Sequence, residues 1–469
     1  MAVNKFMFGV LPMLLLLSGC NAGSNSAETQ KPFAFLRNLE STLAEASRGT
    51  QSSVSTPTRK SLGEILTNSE PDINTKSGFA KAIANAVRVD PAIVAARDEL
   101  AAQMSQVDVA KSSKDAQFSA TVLGGVEDVT DKVAGVALVL NSTKVINDGG
   151  KIDARIAAEE FLAEGAKHRL QAQMDDRALA LVRIWVDLDR YEKLSDLIGS
   201  RLMILNPLIE QLETVAAAGM GDASQVASAQ RTVSMIRVTQ SDVMERLEQS
   251  RVAFRNTFGS LPAGTKLDTG FIEKLVPSKV NNTMSHAAPA LLAAYSSYQA
   301  AEANLIGTLA KRKFDLGFET KITKPFGGSE YNSDESVGIV LSKAFFNDGQ
   351  LEAEEKAAKS RVDSSIAQIQ STYREGERII KTAQQTIKST DKAIDLSRET
   401  AEVTREEISY LRKQLIIGGS TLDGVLSAEA RLYDAESKEI NFNADKVVAQ
   451  ATILSALGLL SKSLGLSAE

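Results

Sequence analysis

The chain of 469 residues contains the same ordered set of short motifs twice, about two hundred residues apart. Asn147-Asp148-Gly149 returns as Asn347-Asp348-Gly349, and 347 − 147 = 200. Pro91-Ala92 returns as Pro289-Ala290, at an offset of 198. A period of this length exceeds the repeats of solenoids and propellers. The pattern therefore predicts two tandem structural repeats, each a large unit.

The first residues have the features of a targeting segment. Lys5 precedes an apolar run from Met7 to Leu17, which is too short to span a bilayer as a helix. The small residues before Cys20 resemble the lipobox of bacterial lipoproteins, so we expect a signal peptide at 1–19 and lipidation of Cys20. An ordinary secretory signal followed by a chance cysteine is the alternative.

The segment after the cysteine is predicted to be a lipid-anchored tether and linker, at 20–77. Asn21 follows Cys20 and, by analogy with lipoprotein sorting, favours the outer membrane over the inner one. No later stretch reaches the ~18 apolar residues that a transmembrane helix requires.

The remaining sequence divides into repeat 1 at 78–261, repeat 2 at 285–460, a connector rich in Pro and Gly at 262–284, and a tail at 461–469. The order within each repeat is predicted to be the same: helix, β-hairpin, very long helix, glycine turn and last helix. The predicted first helices are 81–115 and 285–312, the hairpins 117–146 and 314–346, the long helices 150–216 and 350–416, and the last helices 222–258 and 421–460.

The second long helix has a sustained heptad pattern. Apolar positions recur every seven residues, at Ile366, Tyr373, Ile380, Ile387, Ile394, Ala401 and Ile408. The companion positions are mostly small, which favours close coiled-coil packing. A helix of this length would extend roughly 100 Å at ~1.5 Å per residue. Low aromatic content, 5% with one Trp, also favours long helices over a large globular core.

The two hairpins alternate apolar and polar residues. Phe314, Leu316 and Phe318 alternate with Asp315 and Gly317. Each strand has about the 9–11 residues of a tilted membrane strand. Four strands cannot close a barrel, and lipid does not tolerate open strand edges. The pattern therefore predicts a transmembrane β-barrel shared between subunits. A soluble hairpin that caps a helical bundle is the alternative.

The duplicated motifs resemble those of the TolC family of outer-membrane efflux proteins, over about 78–460. The resemblance rests on the Asp90-Pro91-Ala92 helix start, the two strand-to-helix junctions and the two glycine turns followed by Ser-Ala. It implies a mixed, mainly α fold: a homotrimer with a twelve-stranded barrel in the outer membrane and a long coiled-coil α-helical tunnel in the periplasm. It also implies an equatorial region near 187–206, the connector and the tail.

The resemblance gives positions to two groups of residues. The barrel-to-tunnel junctions would be Asn147, Asp148, Gly149, Asn347, Asp348 and Gly349, where Gly permits unusual φ and Asp or Asn caps the first turn. The periplasmic tip, which docks an adaptor and narrows the aperture, would contain Gly219, Gly221, Asp222, Gly418, Gly419, Ser420, Asp423 and Ser427.

At that tip the sequence departs from some family members. Gly424 and Ser427 stand where those members carry acids, and Ser420 stands where some carry Arg. Asp423 is the carboxylate nearest in sequence to these positions. Its two candidate roles are lining the aperture and capping a helix. The pseudo-symmetry of the repeats is expected to break at Gly150 versus Gln350 and at Asp222 versus Thr421.

The composition excludes several classes of function. The net charge is −6 with acids and bases interspersed, which is not a nucleic-acid-binding pattern. No His/Cys cluster has metal-ligand spacing, and no Gly-rich phosphate loop is present. Adjacent acids such as Glu159-Glu160 lie on a long helix, where a solvated face is expected. We therefore expect neither enzyme activity nor a cofactor.

The sequence suggests three candidate functions. The first is the outer-membrane exit channel of a tripartite export system, which receives cargo from a periplasmic adaptor and an inner-membrane ABC or RND-type transporter. The second is a lipid-anchored periplasmic coiled-coil structural or adaptor protein, which would leave the two amphipathic hairpins unexplained. The third is an adhesin or receptor, which would need larger exposed loops than the sequence has. Type I protein secretion and small-molecule efflux both remain open for the first.

Overall fold

The structure of the protein is a computed structural model that describes residues 73–75, 78–126, 134–218, 223–262, 266–277, 279–326, 333–343, 348–417 and 420–467. The predicted signal peptide, Cys20 and nearly all of the tether lie outside the described residues. The elements of the first half are α1 (Phe79–Val89), α2 (Pro91–Ser112), β1 (Gln117–Val126), β2 (Ala134–Asn147), α3 (Lys151–Ala217), α4 (Ala223–Phe258) and the short α5 (Thr269–Leu275). Those of the second half are α6 (Asn282–His286), α7 (Pro289–Ala310), β3 (Asp315–Phe326), β4 (Asp334–Ser342), α8 (Asp348–Ile416), α9 (Leu422–Ala456) and α10 (Leu460–Ser463).

The chain divides into two units. The smaller contains Met1–Thr67, Val122–Leu138 and Lys324–Ser333, and its described part consists of hairpin ends, where Lys324 donates to the Ser333 hydroxyl at 3.4 Å. The larger contains Asn68–Thr121, Val139–Thr323 and Asp334–Glu469, and it holds all of the described helices together with β4 and the rest of the strands.

The first predicted helix, 81–115, is wrong as a single element. The structure has two helices, α1 and α2, with Asp90 between them in an extended conformation (ψ 125°). Pro91 has no N–H and disfavours helical backbone in the residue before it, so α1 ends there. The Asp90 carboxylate accepts a hydrogen bond from the Ala92 amide at 3.0 Å. Asp90 thereby begins α2 as its N-cap.

The two long helices are confirmed within two residues of their predicted ends. α3 has 67 residues and α8 has 69 residues. At the rise of an α-helix, each therefore extends about 100 Å. The last predicted helix, 421–460, ends earlier: α9 stops at Ala456, where Gly458 takes a positive φ of 69° and α10 follows.

The heptad seam of α8 packs against α9 over part of its length. Ile380, Ile394, Ala401 and Ile408 are buried, as are companion positions such as Thr404. The small companions let the two helices approach closely, as the sequence predicted. Near the start of α8 the residues of the seam are less buried: Ile366 is exposed and Tyr373 is half-buried.

The strands form one four-stranded sheet in the order β1-β2-β3-β4, so β1 and β4 are its edges. β3 and β4 pair antiparallel, and the register places Leu316 opposite Leu341 and Phe318 opposite Ile339. Because successive side chains alternate between faces, these pairs share one apolar face, while pairs such as Gly317 with Val340 lie on the other. Every residue of β4 is exposed. The predicted alternation is confirmed for this hairpin.

The main core surrounds Trp185 on α3. Its ring makes edge-to-face contacts with Phe79, Phe254 and Phe258, at centroid distances of 5.2, 5.0 and 5.4 Å. Such aromatic pairs stabilise a core beyond the area that they bury. Leu464 and Leu466, which lie in the predicted tail, are buried in the same cluster, as is Leu460 at the start of α10. The C-terminal segment, predicted as a tail, is therefore a structural part of this core.

Candidate functional site

The first strand-to-helix junction is a turn in which two side chains bond to the amides that follow them. The Asn147 side-chain oxygen accepts from the Gly149 amide at 2.8 Å, and the Asp148 carboxylate accepts from Gly150 and Ile152 at 2.9 and 2.5 Å. Gly149 has a φ of 71° and Gly150 a φ of 95°. Positive values of this size favour glycine, which lacks a Cβ. The predicted capping by Asp148 and the need for glycine are both confirmed here.

Lys313, just before β3, and Asp315, its first residue, form contacts with this junction. Lys313 donates from Nζ to the Gly149 carbonyl at 2.9 Å, and a Cβ placed on Gly149 would lie 2.7 Å from the Lys313 Cβ. Lys151, at the start of α3, forms a salt bridge with Asp315, at the start of β3, with an Nζ–Oδ2 distance of 2.7 Å. The end of the first repeat's hairpin is thereby fixed to the beginning of the second repeat's hairpin.

The second junction has a different backbone. Asp348 and Gly349 are the first two residues of α8, which begins three residues earlier than α3 once the offset of 200 is applied (351 − 348 = 3). Asn347 lies outside the described residues. A Cβ on Gly349 would meet nothing within 4 Å. Gln350 is helical whereas Gly150 lies in the turn, so the two junctions do differ at the pair where the sequence predicted a break.

The predicted tip is described in part. Five of its positions lie outside the described residues: Gly219, Gly221, Asp222, Gly418 and Gly419. Thr421 accepts a hydrogen bond from the Gly424 amide at 3.1 Å. Thr421 is thus the N-cap of α9, and the capping role considered for Asp423 belongs to Thr421. Asp423 is half-buried, and its Oδ1 has no hydrogen-bond partner among the described residues. Ser420 and Ser427 are half-buried.

A charged cluster that was not predicted from the sequence lies on the three helices next to this turn. Arg201 on α3 contacts Glu429 and Glu436 on α9 at 3.3 and 2.5 Å. Arg412 and Arg405 on α8 contact the same two carboxylates at 2.7 and 2.8 Å. Glu429 is only 2% exposed, so its charge is stabilised by the two Arg that flank it. Three helices are thereby fixed to one another near the turn.

A second buried polar group joins α3 to the C-terminal segment. Asp175 is 1% exposed, and its carboxylate accepts from the Ser461 amide at 2.8 Å and from the Ser461 hydroxyl at 2.7 Å. Gln171 donates to the Ser461 hydroxyl. Burial, which penalises the charged form, raises the pKa of Asp175 to about 6, although these hydrogen bonds oppose the shift. Asp175 therefore caps α10 from a different helix.

Two other kinds of site are absent from the described part of the chain. No helix there has both the length and the apolar character to cross a membrane. No group of three or more His, Cys, Asp or Glu side chains in the same ranges has the arrangement needed to hold a metal ion.

Known structures share this architecture. The outer membrane protein VceC from Vibrio cholerae superposes with a TM-score of 0.70 at 16% identity, over 81% of this chain and 96% of that one. The Campylobacter jejuni CmeC outer membrane channel gives 0.71 at 13%, over 85% and 92%. The open state of the Neisseria gonorrhoeae MtrE outer membrane channel gives 0.68 at 15%, over 83% and 92%. The chain therefore has the fold of the outer-membrane channels.

The family signature lies in the second repeat. The model of the family described as outer membrane efflux protein matches residues 281–459. Together with the shared fold, this match confirms the resemblance to the TolC family that the duplicated motifs indicated. No curated protein matches the chain.

Proposed function

We propose that the chain is the subunit of an outer-membrane exit channel, a passive conduit that carries cargo from a periplasmic adaptor and inner-membrane pump to the exterior. The observation that carries the proposal is a four-stranded sheet with an exposed apolar face, together with two helices of 67 and 69 residues. The family match and the fold of the outer-membrane channels support the same function.

The exposed apolar face of the sheet is the strongest physical support for a position in a membrane. On β4, Val337, Ile339 and Leu341 are 67%, 70% and 63% exposed, and Phe318 beside them is 41% exposed. Apolar side chains in such a row are unfavourable in water and mark an interaction surface. Contact with lipid removes that cost for the apolar face, while the opposite face keeps Asp315, Glu319 and Lys321.

Lipid then imposes a second requirement. The edge strands β1 and β4 present unpaired backbone groups, which lipid does not tolerate, and bacterial barrels have at least eight strands. Three copies of the chain would supply twelve strands and so close a barrel without edges. We therefore infer a homotrimer with a shared barrel, continued by a tunnel of the long helices.

The junctions and the tip have distinct roles in this proposal. The Asn147–Gly150 turn would convert the barrel strand β2 into the tunnel helix α3 within a few residues. The predicted tip at 417–427, which includes the first turn of α9, would face the adaptor protein, and the adaptor would contact an ABC or RND-type transporter. With Gly424 and Ser427 at its helix start, closure there would depend on side-chain packing rather than on a ring of acids. We infer no catalytic role and no cofactor.

Lipidation at Cys20 would anchor each subunit to the outer membrane by its N-terminus, with the helices in the periplasm. A Cys20→Ala variant tests this separately. It should lose incorporation of labelled fatty acid, whereas the oligomer and the barrel should remain. Incorporation that persists in the variant would refute lipidation at this residue.

Topology is tested by labelling whole cells with a membrane-impermeant maleimide. An Asp334→Cys variant, at the hairpin end of β4, should react from outside, and a matched Ser420→Cys variant at the tip should react only after the outer membrane is permeabilised. A lipid-anchored periplasmic coiled coil, the alternative function, would leave both sites protected in intact cells. That outcome would reject the channel.

The cargo class is tested in cells that lack the protein. Increased sensitivity to small toxic compounds, reversed by the wild-type chain, supports small-molecule efflux. Loss of a secreted protein from the medium with unchanged sensitivity supports type I secretion. A strain with neither defect would contradict an export role.

A further inference from the structure

A proline lies inside the long helix α3, close to the predicted tip. α3 continues from Pro207 to Ala217, over ten further residues (217 − 207 = 10). A proline has no backbone N–H, so the Met203 carbonyl, four residues earlier, has no hydrogen-bond donor within the helix. The pyrrolidine ring also clashes with that carbonyl. Because sharp bends in long helices occur at such residues, α3 is expected to bend at Pro207.

The bend has a direction, because Pro207 lies on the exposed face of α3. Met203, one turn before it, is 71% exposed, and Pro207 itself is exposed. Leu205 is buried and lies two residues before Pro207, which is about 200° around a helix of 3.6 residues per turn. The clash separates the turns on the exposed face, so the helix bends away from that face. The last ten residues of α3 are therefore pushed towards the side on which Leu205 lies.

The side of α3 that contains Leu205 packs on α9. Arg201 and Leu208 lie on the same side, because they are four residues before and three residues after Leu205. Arg201 pairs with Glu429 of α9 at 3.3 Å. Leu205 is 1% exposed in a buried cluster with Leu426 of α9, and Leu208 is half-buried against the same cluster. The bend therefore presses the end of α3 towards α9.

The end of α3 has only apolar contacts with α9. Among the described residues, Arg201 is the last residue of α3 that forms an ion pair, and Glu210 and Glu213 beyond it form none. Leu208 of α3 and Leu422 of α9 both pack on the buried cluster around Leu205. Apolar contacts are non-directional, so the bend supplies the direction that ion pairs would otherwise give.

The second repeat differs at the corresponding position. Pro207 corresponds to Glu407 of α8 at the offset of 200 (407 − 207 = 200). Arg431 of α9 contacts the Glu407 carboxylate at 2.6 Å, and Arg412 of α8 contacts Glu429 of α9 at 2.7 Å. Charges therefore hold α8 on α9 where α3 has a proline.

We propose that the bend at Pro207 holds the end of α3 on α9 and thereby keeps two helix pairs of one chain, α3 with α4 and α8 with α9, together at the tip. The inference rests on the proposed function, in which the tip narrows the tunnel. It deepens that function because it names the residue and the contact that restrain the aperture. Straightening of α3 would weaken the contact of its end with α9 and widen the tip.

Cross-linking in the detergent-solubilised full-length protein tests the bend. Leu208→Cys combined with Leu422→Cys should form an intrachain disulfide on oxidation, seen as a shift in gel mobility that reductant reverses. Adding Pro207→Ala should lower the yield several-fold, because a straight α3 carries residue 208 away from α9. Adding Asn206→Ala, at the exposed neighbouring position, should leave the yield unchanged.

Single-cysteine variants control for disulfides to Cys20, the only native cysteine. A pair that forms no disulfide with Pro207 present would show that the end of α3 does not lie on α9. Equal yields with Pro207 and with Pro207→Ala would show that the proline does not press the two helices together. Either result overturns the proposal.

Conductance of the purified protein in planar lipid bilayers tests the consequence for the aperture. Pro207→Ala should raise the mean conductance several-fold, whereas Asn206→Ala should leave it unchanged. Glu407→Ala removes one ion pair of the second repeat and should have a smaller effect, since Arg412 still pairs with Glu429. An unchanged conductance in Pro207→Ala would overturn the proposal. A decrease would make Pro207 a flexible joint that opening requires, and would also reject it.

These outcomes are distinguishable from failure of the proposed function. If the disulfide depends on Pro207 but the protein gives no conductance and Asp334→Cys is unreactive in whole cells, the bend stands and the channel is rejected. If the protein conducts and Asp334→Cys reacts but the disulfide is independent of Pro207, the bend is wrong and the channel stands.

Discussion

Replacing Asp175 by Asn removes a charge from the buried point at which α3 holds the C-terminal segment. The carboxylate is 1% exposed and has no cation beside it among the described residues, only the Ser461 amide and hydroxyl and the Gln171 amide. Asn keeps the size and one acceptor oxygen, so the substitution tests the charge rather than the packing. We expect it to stabilise the protein at neutral pH.

The sign and size follow from the pKa of Asp175. An unfolded chain releases this proton near 3.8, whereas burial raises the pKa in the folded protein to about 6. The stability contributed by the protonated group is therefore complete below pH 3.8 and is lost as pH rises through 6. A difference of about 2 pKa units corresponds to about 3 kcal/mol at pH 7, at ~1.4 kcal/mol per unit. In the Asn variant, a weaker hydrogen bond to Ser461 would reduce this gain in stability by about 1 kcal/mol.

The assay uses the fluorescence of Trp185, the only Trp in the chain, which is buried in the core that also contains Leu460. Urea unfolding of the detergent-solubilised protein is followed between pH 4 and 8 for the wild type and for Asp175→Asn. The free energy of unfolding of the variant minus that of the wild type should rise by about 2.5 kcal/mol between pH 4 and pH 8. This is less than the full effect of the pKa difference, because that difference already lowers the stability of the wild type at pH 4. Asp434→Asn, which removes an exposed carboxylate paired with Lys438, is the control for general charge effects. A difference in the free energy of unfolding that does not change with pH would refute the raised pKa of the buried Asp175 carboxyl.

Two further predictions use matched pairs that the duplication and the charged cluster provide. Gly149→Ala should destabilise the protein by about 2 kcal/mol, because left-handed backbone is strained for every residue with a Cβ. Gly149 has a φ of 71°. Its added Cβ would also lie 2.7 Å from the Lys313 Cβ. Gly349→Ala, with open space in a helix, should be neutral or stabilising in the same unfolding assay. Equal effects at both glycines would contradict the asymmetry of the junctions. Glu429→Ala should cost about 3 kcal/mol, because it leaves two Arg without their buried partner. Glu439→Ala, which removes a more exposed pair, should change unfolding little. A tolerated Glu429→Ala would mean that the cluster does not hold the three helices together.

Features that repeat along the chain could be predicted from the sequence. The long helices, the seam at Ile380 to Ile408 and the alternation of Leu316 and Phe318 all depend on a period of seven or two, which sequence displays directly. Local turn chemistry was equally accessible, since Asp148 acts on amides only two and four residues away.

Features that depend on distant contacts could not be predicted. Ser461 lies 286 residues from Asp175, and Arg201 lies 228 from Glu429, so no local pattern links them. A weak signal did exist for the charged cluster, because Arg405 and Arg412 are seven residues apart, as are Glu429 and Glu436. The break at Asp90 was predictable from Pro91, but the long helical pattern on both sides concealed it.

In the proposed function, several copies of this chain close one channel in the outer membrane. The native mass of the complex, extracted from outer membranes in mild detergent, measures how many copies assemble. We predict the mass of three mature chains, since three four-stranded sheets make a barrel of twelve strands without edges. A complex with the mass of one chain would contradict it.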